Sequence, residues 1–253
     1  MIETKAEQLN ALWNQLGIQS GDVVLCHSFL AYLGRLKPST EIILDTLIEQ
    51  IGPKGTLIVP TFTYSYFNNE IYDLENSAST VGILGDLLRK RPGAVRSLDP
   101  NFSMAAIGAN AKSLMKMDSP SSLGNESIYQ KLIQADLKVL LLGVDFTALP
   151  LFMHFEKVLN TPYRYDKWFK GKTKLNDTIT ETEVVHFVRD EKINPISDRS
   201  RVGNQIDLDR ACKKVKYGYG MHRYVPARVV ERIVKDCYQK DPFILLEAKK
   251  EMT

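Results

Sequence analysis

Residues 138–144 read Lys-Val-Leu-Leu-Leu-Gly-Val, a short apolar run with a glycine, Gly143, next to its end. Such a run is far too short to span a bilayer, and it suits a strand buried on both faces of a sheet. Two more runs of the same kind lie upstream. They are Val23-Val24-Leu25-Cys26-His27 and Gly55-Thr56-Leu57-Ile58-Val59-Pro60, and Met104–Gly108 is a shorter candidate. Between them the apolar spacing changes to that of helices. Glu3–Leu16 puts Leu9, Leu12, Trp13 and Leu16 on one face, and Pro38-Ser39-Thr40 opens a helix that closes near Gly52. Thr80–Arg91, Glu126–Ala135, Leu149–Leu159 and Pro226–Tyr238 continue the pattern. Strands alternating with helices predict an α/β fold: a mixed, largely parallel central sheet with helices on both faces. Thr182–Asp190 alternates like a half-exposed antiparallel strand, and Tyr217–Tyr224 suggests another. No repeat or linker interrupts the chain. It is expected to form one domain over residues 1–253, with a polar subdomain or cap at about 161–201.

Composition narrows the function classes. The 253 residues are 44% hydrophobic and 25% charged, which excludes a disordered or collagen-like chain. Lys and Arg total 33 against 30 Asp and Glu, and this small excess argues against a nucleic-acid partner. Cys26, Cys212 and Cys237 form no C-x-x-C and read as reduced thiols. Met1–Leu16 has no apolar leader core, and no stretch approaches the roughly 20 apolar residues of a membrane span. A cytoplasmic protein without a membrane partner is expected.

In open α/β sheets, ligands bind beyond the carboxyl ends of the strands. Three segments hold that position: His27-Ser28-Phe29-Leu30, Thr61–Ser65 with Thr63 and Tyr64, and Gly143–Thr147 with Asp145. Arg96–Ser103 (RSLDPNFS) packs a guanidinium, a carboxylate and two hydroxyls into eight residues. His154 and Glu156 sit beside Phe152, Met153 and Phe155, and a neutral imidazole there could act as a general base. His186 and His222 read as hydrogen-bonded structural histidines. The chain lacks G-x-G-x-x-G, G-x-x-x-x-G-K-[ST], H-E-x-x-H, paired C-x-x-C and G-x-S-x-G. Nicotinamide, P-loop and zinc-hydrolase chemistries are therefore not expected.

Five segments carry a family resemblance: VVLCHSFLAYLG (23–34), LIEQIGPKGTLIVPTFTYS (47–65), VGILGDLLRKRPGAVRSLDPNFSMAAIGANA (81–111), VLLLGVDFTALPLFMHFEK (139–157) and YGYGMHRYVPARVVERIVKD (217–236). In this order, with the PGA-x-RS-x-x-P-x-x-S pattern, the chain resembles the aminoglycoside 3-N-acetyltransferase family, whose fold is distinct from the GNAT fold. The resemblance implies acyl transfer from acetyl-CoA, or another short acyl-CoA, to a sugar amine, with no metal and no covalent enzyme intermediate. It implies that His27, Ser28, Phe29 and Leu30 meet CoA with their backbone amides. Arg96, Ser97 and Ser103 would line the CoA and acyl site, and His154 and Glu156 would be catalytic. Antibiotic-modifying members usually carry His before the Pro of RS-x-x-P. Here that residue is Asp99, a second candidate base.

Charge points the same expectation elsewhere. Aminoglycosides are polycations, whereas the stretch Pro162–Lys174 carries Arg164, Lys167, Lys170, Lys172 and Lys174 among Tyr163, Tyr165 and Trp168. Cations with interleaved aromatic rings suit a phosphorylated ligand bearing a flat base. Some relatives of the antibiotic enzymes acylate nucleotide-linked amino sugars for surface polysaccharides, and the chain resembles those more, so that acceptor is the one the resemblance leads us to expect. Tyr163, Arg164, Lys167 and Trp168, together with Thr63 and Tyr64, would bind it. The alternative is an aminoglycoside acetyltransferase that confers resistance. The oligomeric state is left open.

Overall fold

The computed structural model describes residues 2–247. A two-residue strand, β1 (Glu3–Thr4), precedes α1 (Ala6–Leu16). Then come β2 (Val23–Ser28), a single turn at 30–33, β3 (Arg35–Leu36), α2 (Ile42–Ile51), β4 (Thr56–Pro60), β5 (Tyr72–Asp73) and α3 (Ile83–Arg89). The middle of the chain supplies β6 (Val95–Arg96), β7 (Met104–Gly108), α4 (Ala111–Met115), α5 (Ile128–Gln134), β8 (Lys138–Leu142) and α6 (Leu151–Val158). The last part supplies β9 (Arg164–Leu175), β10 (Thr178–Arg189), α7 (Ser200–Leu208), β11 (Lys213–Tyr217), β12 (Gly220–Pro226) and α8 (Ala227–Lys240).

Seven strands form the main sheet in the order β11-β12-β8-β2-β4-β7-β6. It is mixed, as expected, but parallel pairing is confined to its centre. β2 pairs parallel with both β8 and β4, and every other pairing is antiparallel. The reason is connection length. β11 and β12 are joined by a tight turn, and such a turn can link only antiparallel neighbours.

Alternation along the central strands decides what covers each face. Val23, Leu25, Ile58, Val139 and Leu141 point into a core shared with α4, α5, α6, α7 and α8. Val24, Cys26, Leu57, Val59, Leu140 and Leu142 point the other way, onto α1, α2 and α3. Each fully buried leucine contributes about 2 kcal/mol, so the run 139–142 anchors both layers.

The departure from expectation lies in residues 164–175. The basic, aromatic stretch forms a strand that pairs with β10 over twelve residues each, and β5 adds to its other edge. Asn176, with a φ of 51°, and Asp177 make the two-residue turn. Most β9 side chains are exposed or partly exposed. The hairpin stands off the main sheet, so its strand carries no apolar alternation for a sequence reading to find. Among the described residues, no helix is long and apolar enough to cross a membrane.

Candidate active site

A cleft of about 620 Å³ opens beyond the carboxyl ends of β2 and β8, lined by Ser28, Phe29, Tyr32, Asp145, Tyr219 and Arg223 among others. Behind it lies a second pocket of about 270 Å³. The two share Ser28, Val144 and Ala148. Gly143 makes the cleft possible. Its φ is +67°, and a Cβ there would come within 2.7 Å of Tyr32 Cβ and 2.9 Å of the Phe29 oxygen. Only glycine lets the turn after β2 fold over the end of β8.

That turn holds the first group of expected ligand contacts. His27, buried, and Ser28 line the second pocket. The Phe29 N–H donates to the Leu142 oxygen at 2.8 Å, so this amide is not free to meet a ligand. The Phe29 ring is 54% exposed on the cleft rim, whereas Leu30 packs against the core. On the opposite wall, Arg223 makes a bidentate pair with Asp207 (2.7 and 2.9 Å). Asp145 is exposed at the lip, capping the Thr147 N–H at 2.9 Å.

Arg96, Ser97 and Ser103 stand elsewhere and brace the backbone. Arg96 donates to the carbonyl oxygens of Thr61 (2.8 Å), Ser77 (2.7 Å) and Leu74 (3.2 Å) and stacks on Tyr72. Ser97 accepts from the Met104 N–H, and Ser103 donates to the Thr61 oxygen. Thr63 donates to the Pro100 oxygen. Tyr64, half-buried with a φ of 54°, lines the second pocket and packs on Phe62, Phe67 and Phe102.

Asp99 is buried and already holds three donors. Its Oδ1 accepts from the N–H groups of Asn101 (2.9 Å) and Phe102 (2.8 Å), and its Oδ2 accepts from the Ser122 hydroxyl. The chain continues to a residue that the sequence reading set aside. Asn101 Oδ1 accepts from the Tyr66 N–H, so its Nδ2 donates to His186 Nε2 at 2.9 Å. The His186 proton therefore sits on Nδ1, facing the Ser122 oxygen at 3.4 Å. His186 is packed among Phe67, Phe102 and Phe169, and burial lowers its pKa against the opposing pull of Asp99. The pairing of β10 with β9 brings His186 here, and no local motif announces it.

His154 and Glu156 do not form a dyad. Two positions apart on α6, they face different neighbours. His154 Nδ1 accepts from the Gly124 N–H at 3.3 Å, which puts the ring proton on Nε2. Burial lowers its pKa to about 4. Glu156 instead pairs with Arg164 at 3.0 Å inside the protein. His27 contrasts with both. Its Nε2 is buried with no hydrogen-bond partner, and burial lowers its pKa to about 4. Among the described residues it is the imidazole that borders the crevice and keeps a ring nitrogen uncommitted.

The expected binding stretch on β9 is dispersed by the fold. Tyr163 is fully buried against Phe243. Lys170 pairs with Glu183 and Lys174 with Asp73. Trp168 is 56% exposed, and Lys167 lies over the Phe169 ring. None of the expected binding residues Tyr163, Arg164, Lys167 and Trp168 lines the cleft or the pocket behind it.

Comparisons with known proteins bear on this geometry. Residues 25–239 match the family model described as aminoglycoside 3-N-acetyltransferase. Aminoglycoside N(3)-acetyltransferase VII of Streptomyces paromomycinus is 31% identical over 169 residues, 58% of this chain and 58% of that protein. Aminoglycoside N(3)-acetyltransferase IX of Micromonospora chalcea is 31% identical over 163 residues, 56% and 57%. The chain thus matches less than two thirds of the length of these relatives. The structure of AAC-IIIb in a binary complex with CoASH superposes with a TM-score of 0.84 at 22% identity, covering 94% of this chain and 98% of that one. These relatives overturn the expectation of a nucleotide-linked acceptor and of surface polysaccharide synthesis. The physical cause of the error is visible on the hairpin. The cations that suggested a phosphate site are largely paired with carboxylates, and net charge averages a whole surface rather than describing one cleft.

Proposed function

The chain belongs to the aminoglycoside 3-N-acetyltransferase family, and on that premise we propose that it moves an acetyl group from acetyl-CoA to an amine of an aminoglycoside. The observation that carries the reading is the pair of joined cavities beyond β2 and β8, with the uncommitted imidazole of His27 among the residues lining the inner one. The open cleft, rimmed by Phe29, Tyr32 and Tyr219, suits the long, amphipathic donor. The exposed carboxylate of Asp145 suits a cationic acceptor at the same lip.

The reaction sets three demands. The attacking amine must be neutral, since an ammonium has no lone pair. Its nitrogen forms the new N–C bond while the C–S bond breaks and the thiol leaves. A proton must pass from the amine to a base. Asp99 and His154, the two bases expected from sequence, are both engaged by backbone donors. We therefore give the proton to His27, which burial keeps neutral at pH 7. Thiol release from acetyl-CoA, measured against a panel of aminoglycosides, tests the reading. Turnover is expected, and His27→Gln should lower kcat by about 10²-fold or more. Absence of thiol release across the panel would overturn the reading.

A further inference from the structure

The pocket behind Ser28 is larger than an acetyl group needs. Its volume is about 270 Å³. A methyl group occupies about the space of one water, on the order of 30 Å³. Val59, Pro60, Phe62, Leu84 and Pro150 give its wall an apolar side, and His27, Ser28 and Tyr64 add polar groups. No carboxylate lines it, so a polycationic acceptor would lose its hydration there without compensation. The pocket joins the larger cleft at Ser28, Val144 and Ala148. His27 is one of its lining residues, and its buried Nε2 has no hydrogen-bond partner among the described residues.

Resting on the acyl-CoA reading above, we propose that this pocket takes an acyl chain longer than acetyl, about four to six carbons. The thioester then lies at the junction near Ser28, with His27 as its polar neighbour. The chain extends between Phe62 and Leu84. The pocket thus admits donors longer than acetyl-CoA as well, and the transfer chemistry is unchanged.

The test is a calorimetric binding series with CoA, acetyl-CoA, butyryl-CoA and hexanoyl-CoA, which needs no acceptor. Each methylene buried should tighten Kd about fourfold. Val81, half-exposed on the pocket rim, offers a block. Val81→Trp should flatten the series, so that hexanoyl-CoA binds no tighter than acetyl-CoA. If the esters bind equally, or more weakly with length, while acetyl transfer to an aminoglycoside proceeds, the long-chain proposal falls and the acetyltransferase reading stands. If neither CoA nor any ester binds, both fall.

Discussion

Nε of Arg164 lies 3.0 Å from Oε2 of Glu156, and neither side chain is more than 5% exposed. The pair fastens the first residue of the β9–β10 hairpin to α6. A buried ion pair gives modest net stability, but removing one partner leaves the other charged and dry.

Glu156→Gln should therefore cost about 3 kcal/mol or more. Urea unfolding followed by circular dichroism would measure it. A loss under about 1 kcal/mol, the range of exposed pairs, would mean that the site is wetter than its geometry indicates.

Acid should destabilise the fold through its histidines. Burial lowers the pKa of both His27 and His154 from 6.5 to about 4. The unfolded chain takes up these protons first, so the native state loses stability as pH falls from about 6.5 toward 4, by up to about 3 kcal/mol per residue. Above 6.5 both states are neutral at these sites and the contribution is fully present. Stability should thus be lower at pH 4.5 than at pH 7, and His154→Gln should narrow that difference. An unchanged difference would show that His154 is solvated.

Gly143→Ala should damage the cleft. The added Cβ meets Tyr32 and the Phe29 carbonyl at a φ of +67°, where only glycine sits without strain. The expected result is a stability loss of about 1–3 kcal/mol together with a weaker Kd for CoA. Wild-type CoA affinity in this variant would mean that the cleft is not where CoA binds.

Ser122→Ala should break the bridge between Asp99 and His186. Each partner loses a hydrogen bond inside the protein, at a cost of about 1–3 kcal/mol. A thermal melt reads this directly. A variant as stable as the wild type would show that water replaces the hydroxyl without loss.

The two tryptophans should report separately. Trp13 is fully buried with its indole N–H donating to Thr46, whereas Trp168 is 56% exposed on the hairpin. Trp168→Phe should remove most of the acrylamide-quenchable emission. If quenching is undiminished, Trp168 is covered in solution.

Much of the fold follows from local pattern. The run 138–142 is apolar on both sides, and a strand with two apolar faces must be covered twice. Met104–Gly108 was legible for the same reason, and six of the eight helices among the described residues were legible from their one-sided spacing, whereas α4 and α7 were not read. The position of the crevice followed as well, because the ends of β2, β4 and β8 are fixed once these strands are placed. The hairpin strand β9 was not legible, since a strand facing solvent needs no apolar alternation.

Sequence alone therefore determined the layered α/β class, the strands that build its centre and the segments that border the crevice. Burial periodicity is a local property, and local properties are written in consecutive residues. Tertiary structure alone decided which side chains are available for chemistry. Arg96, Asp99, His154 and Glu156 all lie in the segments that looked functional, yet each is held by a partner on another element or loop: Thr61, Ser122, Gly124 and Arg164. His27 is distinguished by a partner it lacks. Whether a polar atom is satisfied depends on what the fold brings within 3 Å of it, and that distance is set by the whole chain.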